Sequence, residues 1–380
     1  MTTSQGIVVQ NLARSFGEVH AVRDVSFVAE PGTVTALIGP NGSGKTTLML
    51  MLASLLRPDA GTIRIAGFDP LVDTAAVRRQ LGWMPDVLGS WSSLSVRATL
   101  EITGRLYRLD KARSAARASE LLSLVSLEEL ANQPTRVLSR GQKQRLSLAR
   151  ALVHDPSVLL LDEPASGLDP TARVGLRNLV RRVASEGTTV LVSSHVLAEL
   201  DEMADTAVYI GGGVTASAES VAASKSSARP WRIRAADASE LEAALLASGI
   251  PRQDIGHDRA ELLVPLAGEA AASELLARLV SAGVRISSFA PAVGDLEHTF
   301  LDLNRRPTAS IDDMTRFERP SDPDTSPDMA RFQRPADPDP TPDISPETSP
   351  DSAPGSAPGT GSGTASGTSD TAPGTEGETR

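Results

Sequence analysis

Apolar positions come first in short runs and later at helical spacing. Ile7-Val8-Val9 and Val25-Ser26-Phe27-Val28 read as β segments flanking a polar turn region. Pro31-Gly32 is a turn signal. The mostly apolar run Thr33-Val34-Thr35-Ala36-Leu37-Ile38 suits a buried strand, and it enters a glycine-rich loop. Residues 46–56 then read as a helix ending before Arg57-Pro58. Between about 70 and 135 the spacing turns helical, as in 94–109 and 112–127. Val158-Leu159-Leu160-Leu161 and Thr188-Thr189-Val190-Leu191-Val192 are further buried strands. Strands alternating with helices predict an α/β domain around a largely parallel sheet.

Gly211-Gly212-Gly213 marks a tight turn, and 216–229, small and polar, reads as a linker. Beyond it, strands at 231–234, 261–265 and 284–289 alternate with helices at 239–248, 269–282 and 294–304. That β-α-β-α-β-α order predicts a small α+β domain at 230–304, without a chemical motif of its own.

Composition breaks the chain at 305. The last 76 of 380 residues hold 13 of the 26 prolines and six residues of the Ile/Leu/Val/Met/Phe/Trp/Tyr set. Such a segment buries too little apolar surface to offset its chain entropy, so 305–380 is expected to be a disordered tail. It carries a fifteen-residue repeat, Asp313-Met314-Thr315-Arg316-Phe317 returning as Asp328-Met329-Ala330-Arg331-Phe332. Slippage in a solvated tail explains that repeat more simply than a docking motif. The tail also holds 7 Arg against 14 acidic residues, most of the net charge of −10. The remaining 30 basic and 33 acidic side chains leave a near-neutral body, with no electrostatic footprint for nucleic acid. Cysteine is absent, which excludes disulfides, thiolate zinc sites and thiol nucleophiles. No apolar stretch approaches the roughly 18 to 20 residues of a membrane span, and no signal peptide is read at Met1-Thr2-Thr3-Ser4-Gln5-Gly6. Action at a membrane would therefore go through a partner.

Three motifs carry chemistry. Gly39-Pro40-Asn41-Gly42-Ser43-Gly44-Lys45-Thr46-Thr47 matches the phosphate-binding loop, with a strand before and a helix after. Small residues let successive N–H groups converge on phosphate, and the helix N-terminus favours the anion. Lys45 supplies a point charge to the β- and γ-phosphates, and the Thr46 hydroxyl suits Mg²⁺. Chance supplies roughly 0.004 such matches in a chain of this length. Second, Leu159-Leu160-Leu161-Asp162-Glu163 ends an apolar strand in two acids. Asp162 suits Mg²⁺, and Glu163 suits the general base for a water. Alone this is an ordinary strand end; with Lys45 117 residues upstream it gains weight. Third, Leu138-Ser139-Arg140-Gly141-Gln142 opens a helix toward an anion, or is an ordinary cap on Ser139.

Together these residues resemble the ATP-binding cassette (ABC) ATPases of membrane transporters, over about residues 5–225. The resemblance implies a phosphate-loop NTPase fold with a helical subdomain at about 82–135, and ATP and Mg²⁺ as cofactors. It implies that the signature Ser139, Arg140, Gly141 and Gln142 meets the γ-phosphate held by an opposite subunit. Arg140 stands where the family commonly has Gly. Phe16 falls at the aromatic that stacks on adenine; taken alone, a Phe there is core packing. Asp169, in Ser166-Gly167-Leu168-Asp169, falls in the loop crossing the dimer interface, and His195 at the switch histidine. Asp86 departs from the family's usual Gln, with a helix N-cap as the competing reading. Asp or Glu there, and the 230–304 extension with Asp295-Leu296-Glu297-His298-Thr299-Phe300-Leu301, resemble an export-type branch. The implied protein is an ATPase at the cytoplasmic face of the membrane, held by a separate multi-span permease. It pairs with itself or a paralogous ATPase subunit and binds no nucleic acid. An importer ATPase, a non-transport soluble cassette ATPase and a small-molecule kinase are the rival readings.

Overall fold

The computed structural model describes residues 6–86, 89 and 91–305, which lie in one compact unit. The tail and its repeat, from 306 onward, lie outside the described residues. In chain order the first elements are β1 (Ile7–Phe16), β2 (Val19–Ala29), β3 (Val34–Ile38), α1 (Lys45–Leu52), β4 (Ala60–Ile65), α2 (Thr74–Gln80) and β5 (Leu81–Met84). There follow α3 (Val96–Leu106), α4 (Lys111–Leu124), α5 (Arg140–Ala151), β6 (Val158–Asp162), α6 (Pro170–Ser185), β7 (Thr189–Ser193), α7 (Leu197–Met203), β8 (Thr206–Gly211) and β9 (Val214–Thr215).

One nine-stranded sheet runs β4-β1-β2-β9-β8-β3-β7-β6-β5. Its β8-β3-β7-β6-β5 block is parallel, while β1 pairs antiparallel with β2 and β4. Every residue of β3, β6 and β7 is buried. Helices cover both faces of a parallel block, so these strands read as continuous apolar runs without alternation. The block brings the C-terminal ends of β3, β6 and β7 to one edge, where a doubly wound sheet binds its ligand. Helices α3 and α4 start from side-chain caps: Ser95 Oγ accepts the Ala98 N–H at 3.1 Å, and Asp110 Oδ1 accepts that of Arg113 at 2.8 Å.

Two expectations change. The 216–229 stretch is no linker: α8 (Ala218–Lys225) forms there, with Ser217 Oγ accepting the Ser220 N–H at 3.2 Å. Alanine propensity and a serine cap are sufficient to make a helix, but they leave no apolar period to read. Next come β10 (Ala228–Ala235), α9 (Ala238–Ala247), β11 (Gly256–Asp258), β12 (Glu261–Ala267), α10 (Gly268–Ser281), β13 (Ile286–Pro291) and α11 (Asp295–Arg305). The extra strand β11 is Gly-His-Asp, which has no apolar run to announce it. It joins an antiparallel sheet of order β11-β12-β10-β13, a ferredoxin-like β-α-β-β-α-β unit.

The last helix turns back. Leu296, Phe300 and Leu303 of α11 pack against the main core, which includes Leu200, Met203 and Tyr209. Asp201 on α7 accepts the Leu296 N–H at 2.8 Å, and Arg229 pairs with Asp295. Among the described residues no helix is long and apolar enough to cross a membrane.

Candidate active site

The loop between β3 and α1 is shaped for an anion. Gly44 precedes the helix at φ +96°, and a Cβ there would meet the Ala21 carbonyl oxygen at 2.3 Å. Only glycine fits both demands. Helix α1 has no side-chain cap and no acid in its first turn, so its leading N–H groups remain open to an anion. Ser43 Oγ is buried without a hydrogen-bond partner. Lys45 Nζ donates to the carbonyls of Gly39 at 2.8 Å and Pro40 at 3.1 Å.

Asp162 and Glu163 stand at the end of β6. Ser193 Oγ donates to Asp162 Oδ1 at 2.5 Å, a contact set by the in-register pairing of Asp162 with Ser193. Ser193 was not singled out by the sequence; the equal lengths of the two buried runs were the signal available. Glu163 has φ +51°, a left-handed conformation that costs a non-glycine residue about 1–3 kcal/mol. His195 Nδ1 lies 2.7 Å from Glu163 Oε2, and its ring is largely exposed.

Burial pushes the Lys45 ammonium below its ordinary value, against the charges of Glu163 and Asp162, which raise it. Burial likewise raises the Asp162 carboxyl; Ser193 and Lys45 pull it down and Asp86 pushes it up. Both shifts disfavour the charged forms, and ligand charge would reverse both: phosphate beside Lys45, a cation beside Asp162. The residues fit the implied group. A hydroxyl, Thr46, and a carboxylate, Asp162, are the sparse kind of donor set that would suit a nucleotide-bound Mg²⁺, with phosphate and water supplying the other ligands. The orphaned Ser43 hydroxyl and the open α1 terminus suit the triphosphate.

The other expected residues take definite places. Gly39, Pro40, Asn41, Gly42, Ser43, Gly44, Lys45, Thr46 and Thr47 form the loop and first turn. Phe16 is 47% exposed under the Arg14 guanidinium, 4.8 Å from its ring centroid, so it is not core. It ends β1 in the β1–β2 hairpin, whose Ala21 touches Gly44. Asp86 is exposed two residues beyond β5, where its charge acts on Asp162. It caps no described helix, since α3 begins from Ser95. Ser139 caps α5 in a reciprocal box with Gln142, at 3.2 Å and 2.8 Å. Asp169 caps α6, accepting the Ala172 N–H at 2.9 Å. Among the described residues, no hydrogen bond or ion pair joins Ser139, Arg140, Gly141 or Gln142 to the phosphate loop.

A helix terminus open to phosphate, set beside an acidic strand end on a doubly wound sheet, places the chain among the phosphate-loop NTPases. Comparison with known proteins narrows that class. Residues 22–166 match the ABC transporter family. The chain is 34% identical over 300 residues to the daunorubicin resistance ATP-binding protein DrrA3 of Streptomyces coeruleorubidus, covering 78% of this chain and 95% of that protein. It is 32% identical over 315 residues to the doxorubicin resistance ATP-binding protein DrrA of Mycobacterium tuberculosis, covering 80% and 95%. A solved dimeric ATP-binding cassette, in a post-hydrolysis state with ADP and Pi, matches with TM-score 0.52 at 25% identity, over 56% of this chain and 97% of that one. The chain belongs to the ATP-binding proteins of ABC transporters, in their export-type branch.

Proposed function

We propose that this protein hydrolyses ATP, as one of two head-to-tail subunits, to drive export through a separate multi-span permease. The observation that carries the reading is the Glu163–His195 pair, 2.7 Å apart at the strand end facing Lys45. The loop N–H groups and Lys45 hold the triphosphate, and Phe16 offers its exposed ring to adenine. Thr46 and Asp162 would hold Mg²⁺, which would supply positive charge against the triphosphate. Glu163 takes a proton from water as the water oxygen bonds to the γ-phosphorus. The bridging bond to the β-phosphate breaks, and ADP leaves with its electrons. His195 keeps the Glu163 carboxylate aimed and leaves its second ring nitrogen for the γ-phosphate. Asp86 acts on the site through its charge beside Asp162.

Among the described residues no hydrogen bond or ion pair joins the signature Ser139, Arg140, Gly141 and Gln142 to its own phosphate loop, which supports action on the partner's nucleotide. Asp169 heads the segment that faces that partner. The chain sits at the cytoplasmic face of the membrane through the permease. Its near-neutral body gives nucleic acid no purchase. A second cassette ATPase, identical or paralogous, completes the pair. The β-α-β-β-α-β accessory unit favours export over import, whose ATPases more often carry a β-rich domain. Two relatives named for daunorubicin and doxorubicin resistance make those drugs the first cargo to assay. The test is Glu163→Gln, which should trap ATP-bound dimers and lower kcat about 10²–10⁴-fold. Undiminished phosphate release from that variant defeats the reading.

A further inference from the structure

The helix that opens with the signature also grips its own subunit's Glu163. Gln144 on α5, only 2% exposed, donates from Nε2 to the Glu163 carbonyl oxygen at 2.9 Å. That carbonyl also accepts the Ser166 N–H at 3.1 Å, while the Glu163 N–H donates to the Ser193 carbonyl at 3.1 Å. Both backbone polar groups of a left-handed residue are therefore fastened. One turn back on the same helix face, Arg140 Nη2 donates to Ser166 Oγ at 2.8 Å. The Arg140 stem crosses Gly167, where φ is +75° and a Cβ would come within 2.6 Å of it. Helix α5 thus holds the 163–167 turn at two points. The joint borders a cavity of about 390 Å³ between α4, α5 and α6, lined by Gln144, Leu148, Leu168 and Leu176. Side chains beside such a void have room to shift.

We propose that Gln144 is a positioning residue for hydrolysis. It fixes the Glu163 backbone, and through it the aim of the carboxylate, from the helix whose first residues meet the partner's nucleotide. The proposal rests on the reading of Glu163 as general base.

Gln144→Met keeps length and apolar bulk and removes only the donor. It should lower kcat about tenfold or more, with KM for ATP within about twofold of wild type. Gln144→Glu supplies a reading that mere packing does not move. Ionised, it cannot donate to the carbonyl; protonated, it can, and burial raises its pKa. Its kcat relative to wild type should therefore climb as pH falls. Arg145 and Asp169, the charged groups lining the same cavity, are common to both proteins and cancel in that ratio. A Gln144→Met enzyme with kcat within about twofold of wild type overturns the proposal. A Gln144→Glu profile parallel to wild type also overturns it, and decides alone where Gln144→Met does not fold. Glu163→Gln run alongside keeps the two ideas apart. Turnover surviving there defeats the general base, whereas turnover lost there but normal in Gln144→Met defeats only the positioning role.

Discussion

Ser193 shifts the protonation of a neighbouring carboxyl, while His154 has its own shifted by burial. The Ser193 hydroxyl holds down a carboxyl that burial pushes up. Ser193→Ala removes that donor, so Asp162 should protonate at higher pH. The acid limb of the pH profile of kcat/KM is expected to move to higher pH; an unmoved limb refutes the coupling. His154 stacks on Tyr107 at 3.7 Å, and its Nε2 lies 3.1 Å from the Leu81 carbonyl. Its Nδ1 is buried without a partner, so protonation there would strand an N–H. Burial lowers this imidazole to about 4. The unfolded chain binds the proton near 6.5 and the folded chain near 4, so this contribution is complete above about pH 6.5 and disappears as pH falls toward about 4. His154→Phe keeps the stack and loses the titration. Its stability curve should be flatter across that window than that of wild type, in urea unfolding followed at several pH values.

Asp201 on α7 is the element-scale counterpart, because it receives the first turn of α11. Asp201→Ala should fray that helix, seen as faster amide exchange across 295–305, while ATP affinity stays the same. Slow exchange at Leu296 in the variant rules out this anchor. The strands β3, β6 and β7 were legible because burial on both faces demands unbroken apolar runs. The phosphate loop was legible because few residue types fit its backbone. Helix α8 and strand β11 were not, since one is mostly Ala and Ser with a single larger apolar residue and the other lacks apolar residues. At the site, the sequence named Glu163 and His195 but not Gln144. A buried glutamine on a helix looks like any polar residue until a strand end is folded against it. Phe16 is exposed rather than core, and no local pattern in the sequence separates an exposed ring from a buried one.

For the whole molecule, the main consequence is that the accessory unit and the cassette share apolar surface through α11. A chain ending after Lys225 loses the cover that Leu296, Phe300 and Leu303 provide. At about 1 kcal/mol for each partly buried side chain, Tm should fall by roughly 6–12 °C. An unchanged melting temperature in that truncation counts against the shared core. Adding residues 226–305 as a separate peptide should recover part of the loss. The same α11 seat also bears on synthesis. Leu200 leaves the ribosome about 100 residues ahead of the side chains that cover it, a lag of about 5–20 s at ordinary elongation rates. During that interval the nascent nucleotide-binding half carries an uncovered apolar strip, which a chaperone can occupy until translation closes it.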